Sequence, residues 1–163
     1  MDFTQDSVWL PLFFFVAMGI AMLSYVVLDG YDLGIGMLLN RGTDVDKDMM
    51  IASIGPFWDA NETWIVLGVG LLLVAFPLAH GQILTELYLP VAAMLLGLIL
   101  RGVSFDFRVK VNIEQKPLWN FLFYLGSLIA SVSQGIMIGR LIVGFDSGSL
   151  GWLFSLLVGI CLP

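Results

Sequence analysis

From Val8 to Leu39 the chain is apolar almost throughout, and only Asp29 and Asp32 put charge into the run. A hydrocarbon layer about 30 Å thick is crossed by about 20 helical residues. Inside lipid the backbone must satisfy its own hydrogen bonds, so only helices and closed barrels can span it. Four more apolar stretches follow, from about Thr63 to Ala79, Ile83 to Leu100, Leu118 to Val143, and Leu150 to Pro163. The pattern predicts an all-α membrane protein: a four-helix transmembrane bundle over 1–148 and, over 149–163, the start of a further, fifth transmembrane helix. That last stretch is short for a span, so the chain reads as part of a longer protein or one piece of a split one.

Composition agrees. Hydrophobic residues make up 59% of the chain and charged residues 12%, where a soluble domain carries about 25% charged. The net charge of -6 argues against nucleic acid as a partner. The first apolar stretch is too long, and too poor in early positive charge, for a cleavable signal peptide. Cys161 is the only cysteine, a small residue in an apolar run that supports no disulfide or metal framework.

Basic residues orient the loops. Arg41 and Lys47 follow the first stretch, and Arg101, Arg108, Lys110 and Lys116 follow the third; only Arg140 lies near the loop after the fourth. Six against one predicts the N-terminus outside and the first and third loops in the cytoplasm. Arg140 reads as a snorkelling side chain near the outer face.

Between Val103 and Glu114 apolar and polar residues alternate strictly, which by pattern alone is a strand. A lone strand cannot lie in lipid, so a strand here belongs at the cytoplasmic surface. The other reading extends the third helix.

An acid at the bilayer centre costs about 2.5–3.5 kcal/mol on insertion scales. Asp29 and Asp32, three residues apart, share a helix face. They either pair with basic residues and hold the bundle together, or mark a proton or ion path. Asp29 lies roughly 30 Å along a helix begun at Val8, toward the cytoplasmic side. Gly30 and Gly34, one turn apart, are spaced to let a neighbouring helix approach. A second cluster runs from Trp58 to Trp64 and holds Asp59, Asn61 and Glu62. Its acids complement a helix dipole, and its tryptophans suit an interfacial belt. Indoles beside carboxyls also favour proton uptake by desolvation. Arg101 is a positive-inside anchor or the counter-charge to an acid on the first or second helix. His80, the only histidine, is an exposed or hydrogen-bonded residue rather than an isolated haem ligand. The residues show no redox centre.

Four motifs occur in order: Asp29-Gly30-Tyr31-Asp32-Leu33-Gly34-Ile35-Gly36, Trp58-Asp59-Ala60-Asn61-Glu62-Thr63-Trp64, Phe76-Pro77-Leu78-Ala79, and Leu100-Arg101-Gly102-Val103-Ser104-Phe105-Asp106-Phe107-Arg108. Together they resemble subunit II of the cytochrome bd quinol oxidases, nearest the cyanide-insensitive type, over most of residues 8–143. The family's subunit II is longer and is built of two similar four-helix bundles, so this chain matches its N-terminal half. The resemblance implies a bacterial inner-membrane complex that oxidises quinol and reduces dioxygen, electrogenic without pumping. Haems b and d belong to the partner, subunit I, and none to this chain; a small accessory subunit and the bilayer are the other partners. It implies a proton path through Asp29 and Asp59, with Asp106 a weaker member, and Asp32 and Arg101 as polar groups beside it. It places Trp64 at the mouth of a dioxygen tunnel, and it extends the third helix past Arg101. The competing readings are half of a cation-coupled secondary transporter, with the aspartates as its site, and a purely structural scaffold.

Overall fold

The computed structural model describes residues 3–145 and 148–161, apart from the side chains of 3–7 and 149. Seven α-helices and two short 3-10 turns make up the described residues, with no strand among them. Four helices are long and apolar enough to cross a membrane. They are α1 (Phe3–Leu38), α3 (Trp58–Ala75), α5 (Tyr88–Lys110) and α6 (Lys116–Val143). Between them lie α2 (Asp44–Ile54) and α4 (Pro77–Glu86), and α7 (Gly148–Cys161) ends the described chain.

Packing follows small residues. At Gly97 of α5 a β-carbon would lie 2.8 Å from Ala130 N and Gly126 O, and at Gly126 of α6 it would lie 2.7 Å from Gly97 O. The two helices therefore touch backbone to backbone, and this contact carries Arg101, one turn further on, into the interior. On the other side of α6, a β-carbon at Gly135 would meet Gly159 Cα of α7 at 2.5 Å. Close approach of this kind is how membrane helices gain van der Waals contact without a hydrophobic drive. α1 lies between α3 and α6.

Several expectations need correcting. The second stretch does not run unbroken to Ala79: α3 stops at Ala75, and Pro77, which lacks an N–H, starts the separate helix α4. The third span begins at Tyr88 rather than Ile83, because Ile83 belongs to α4. Of the two readings of 103–114, the helical extension of the third span holds as far as Lys110, where α5 ends, and the strand does not form. Its buried positions are Arg101, Ser104, Phe105 and Arg108, which is helical spacing, while Val103, Phe107 and Val109 are exposed. Gly30 and Gly34 admit no neighbour, with nothing within 4 Å of either β-position; the close approach falls at Gly36, against Ser127 and Phe123 of α6. Arg140 does not snorkel. It is buried, donates to Phe145 O at 2.9 Å, and its guanidinium lies 4.6 Å from the Trp152 ring centroid on α7.

Helix α2 is outside the sequence reading altogether. A capping box starts it: Asp46 N donates to Thr43 Oγ1 and Thr43 N to Asp46 Oδ2, at 3.3 and 2.9 Å. Its Ile51 and Ile54 join Leu39, Phe105 and Phe123 in one apolar cluster, with Trp58 against it. Asp48 fastens it to the end of α5 through Arg108 Nη2 at 2.8 Å, and Arg108 Nε in turn donates to Asn120 Oδ1 of α6. This end of the bundle carries the two basic loops.

Candidate functional site

The buried face of α1 reads Ala21, Tyr25, Asp29, Asp32, Leu33, Gly36. That is helical spacing, and it turns both acids away from the exposed side that Val26, Val27 and Tyr31 occupy. Asp29 is 0% exposed and Arg101 of α5 is 1% exposed. Arg101 Nη2 donates to Asp29 Oδ1 at 2.6 Å and to Glu62 Oε1 of α3 at 2.7 Å. Asp32, equally buried, accepts from Asn61 Nδ2 of α3 at 2.9 Å.

On the far side of Asp29 stands Tyr25, one turn back along α1. Gln134 Nε2 of α6 donates to its hydroxyl oxygen at 2.6 Å, and the hydroxyl faces Asp29. One polar line thus runs through all four long helices, buried at Tyr25 and Asp29 on α1 and Arg101 on α5 and half-buried at its ends, Gln134 on α6 and Glu62 on α3. Two atoms in it, Asp29 Oδ2 and Arg101 Nη1, are buried with no hydrogen-bond partner among the described residues. The ion pair is therefore single-pronged, although a guanidinium can take a carboxylate with both prongs.

Residues 10–163 match the family described as cytochrome bd terminal oxidase subunit II. The chain belongs to this family. It is 34% identical over 133 residues to cytochrome bd ubiquinol oxidase subunit 2 of Bacillus subtilis (strain 168), a match covering 80% of this chain and 39% of the relative. It is 30% identical over 139 residues to cytochrome bd-I ubiquinol oxidase subunit 2 of Escherichia coli (strain K12), covering 83% and 36%. A probable cytochrome oxidase subunit 2 of Haemophilus influenzae is 26% identical over 142 residues. The matched part is thus well under half the length of these curated relatives.

Of the residues singled out in the sequence, Asp29, Asp32 and Arg101 come together in one cluster. Asp59 is exposed in the first turn of α3, three residues before Glu62. Asp106 is exposed on α5 and makes no ion pair among the described residues. Trp64 is half-buried on α3 and does not line the apolar groove of about 520 Å³ that runs along Thr63, Val66, Leu67, Gly70, Leu71 and Val74 of the same helix. His80 is half-buried on α4, beyond the opposite end of α3 from the cluster. Among the described residues no three His, Cys, Asp or Glu side chains are grouped to hold a metal ion.

Sequence reasoning missed Tyr25 and Gln134. A signal existed: an amide inside the apolar run of α6, and a hydroxyl one turn from an acid. Neutral polar residues are too common in membrane helices for either to stand out by itself.

Proposed function

We propose that this chain serves a quinol:dioxygen oxidoreductase as part of an accessory membrane subunit. It would carry protons from the cytoplasmic side and admit dioxygen toward haems b and d in subunit I. The observation that carries the proton part is the cluster of buried Asp29 and Asp32 and half-buried Glu62 around Arg101. One guanidinium serves three carboxyl groups there, and an excess of acids over bases in surroundings of low dielectric suits a site that takes up and passes on protons. Asp59, exposed and three residues from Glu62, stands where a proton would enter from water. Asp106 offers a second exposed carboxyl on α5. The apolar groove along α3, which begins at Thr63 next to Trp64 in the sequence, suits dioxygen, an apolar molecule that enters from lipid. Haem ligation is left to subunit I in this reading. We read 1–148 as the transmembrane unit and 149–163 as the opening of a further span, with the N-terminus outside. Protons then move inward from the cytoplasm without a pumping step.

The test uses the assembled oxidase. Asp29→Asn should lower quinol oxidase turnover by at least about tenfold with the haem spectrum unchanged, as loss of a positioned proton carrier does. Asp59→Asn should lower it less, since an exposed carrier can be bypassed by water. Full turnover in Asp29→Asn would end the proton reading; activity lost only in proportion to haem content would make the cluster a scaffold.

A further inference from the structure

The polar line does not stop at the ion pair. Tyr25 is 2% exposed, and its oxygen accepts the Gln134 amide proton at 2.6 Å. A phenol oxygen held in this way keeps its own proton to donate. The groups facing that hydroxyl are Asp29, Arg101 and Glu62, of which only the two carboxyls accept. Arg101 already occupies Asp29 Oδ1 and Glu62 Oε1, while Asp29 Oδ2 is buried and without a partner among the described residues. A donor in need of an acceptor thus stands one helical turn from an acceptor in need of a donor. Beyond Tyr25 the seam turns apolar, with Ala21 buried and Met22 packed against Gly68. Neither of these two side chains offers the hydroxyl an oxygen acceptor.

We propose that Tyr25 is a positioning residue for Asp29: Gln134 of α6 orients its hydroxyl, which donates to Asp29 Oδ2 and holds the carboxyl in line with Arg101. The pair is the inner stop of the acid cluster. A proton reaching Asp29 meets a hydroxyl whose own proton already points at it, with apolar side chains behind. Onward transfer therefore goes sideways out of the cluster and not along the α1–α6 seam. The inference rests on the proposed proton route through Asp29.

The experiment compares four variants of the full oxidase complex: Tyr25→Phe, Gln134→Leu, Asp29→Asn, and Tyr25→Phe combined with Asp29→Asn. Tyr25→Phe keeps the ring and removes only the hydroxyl. It should lower turnover about tenfold, the scale of one hydrogen bond to a charged group, at normal haem content and with KM for quinol unchanged. Gln134→Leu should lower it about threefold, because a freed hydroxyl still finds Asp29 part of the time. In the Asp29→Asn background, Tyr25→Phe should cost nothing further. The carboxyl infrared band that disappears in Asp29→Asn should move in Tyr25→Phe, which a purely structural role of the ring would not produce. If Asp29→Asn is impaired while Tyr25→Phe keeps full turnover and an unmoved band, the positioning role fails and the proton route stands. If Asp29→Asn keeps full turnover, the route itself fails. Losses that add in the combined variant would show that Tyr25 does not act through Asp29.

Discussion

At the scale of residues, the Asp29–Arg101 pair carries the most weight, because both partners are almost fully buried. Removing one partner of such a pair leaves an uncompensated charge, which costs about 3–5 kcal/mol. Arg101→Met should therefore lower unfolding stability in detergent by that amount, with Glu62 losing its partner as well. Adding Asn at position 29 should recover part of the loss, since the neutral amide no longer needs a cation. A combined variant as unstable as the sum of the two single ones would show that the pair is not coupled. The acids and the arginine were legible in the sequence because charge in an apolar run has to be explained. One of the two readings of Arg101, counter-charge to an acid on the first or second helix, matches its pairing with Asp29 and Glu62; that it takes an acid from both at once was not legible, since this depends on which helices lie side by side. Arg140 was misread for a related reason. The aromatic ring that covers it, Trp152, lies on a helix whose packing on α6 rests on Gly135 and Gly159, residues that carry no charge signal.

At the scale of elements, α2 is the least visible from sequence and the most exposed to solution conditions. It is short, with Ile51 and Ile54 as its only buried residues, so hydropathy passes over it; the Thr43-to-Asp46 cap was the readable sign. Its attachment depends on Asp48, whose carboxyl is held below the usual carboxylate range by the Arg108 hydrogen bond and then by Lys116. Asp46 is lowered in the same direction by Thr43. A carboxyl lowered in the folded state stabilises it above the unfolded value, about 3.9, and the contribution is lost as pH falls through the lower folded value. Residues 44–54 should thus stay protected from hydrogen exchange from neutral pH down to about pH 4, and exchange faster below it. Asp48→Asn should already exchange faster at neutral pH and lose the acid dependence. The break between α3 and α4 has a similar lesson: Phe76-Pro77 sat in plain view, yet the apolar run continued through it and concealed the boundary. The α5–α6 contact gives a sharper test. Gly97→Leu places a side chain where backbone atoms of α6 stand 2.8 Å away, so the helices must separate and the yield of folded protein should collapse, whereas Gly70→Ala, at an open position, should leave it unchanged.

At the scale of the whole molecule, everything proposed about proton uptake depends on which end of the bundle faces the cytoplasm. The four long helices were legible from run length alone, and the family follows from motifs spread along them. Orientation rests on a weaker signal, the count of basic residues in loops. The structure sharpens what that count refers to: Lys47, Arg108 and Lys116 gather at the end where α2 folds back over α5 and α6, and Asp59 lies exposed in the first turn of α3, which follows α2. Each proton taken in from that side crosses part of the membrane field, worth about 2.3 kcal/mol per charge per 100 mV, so a reversed bundle would reverse the sign of the charge movement. Exposed positions at the two ends decide it. Val45 on α2 is 69% exposed and Leu78 on α4 is 86% exposed, and Cys161 can be replaced by Ser to clear the background. A cysteine at position 78 should react with a membrane-impermeant maleimide in intact cells, and one at position 45 only in inverted vesicles. The opposite labelling would put Asp59 and the Asp29 cluster at the outer face, and uptake from the cytoplasm through this chain would have to be abandoned even if every variant of Asp29 were inactive.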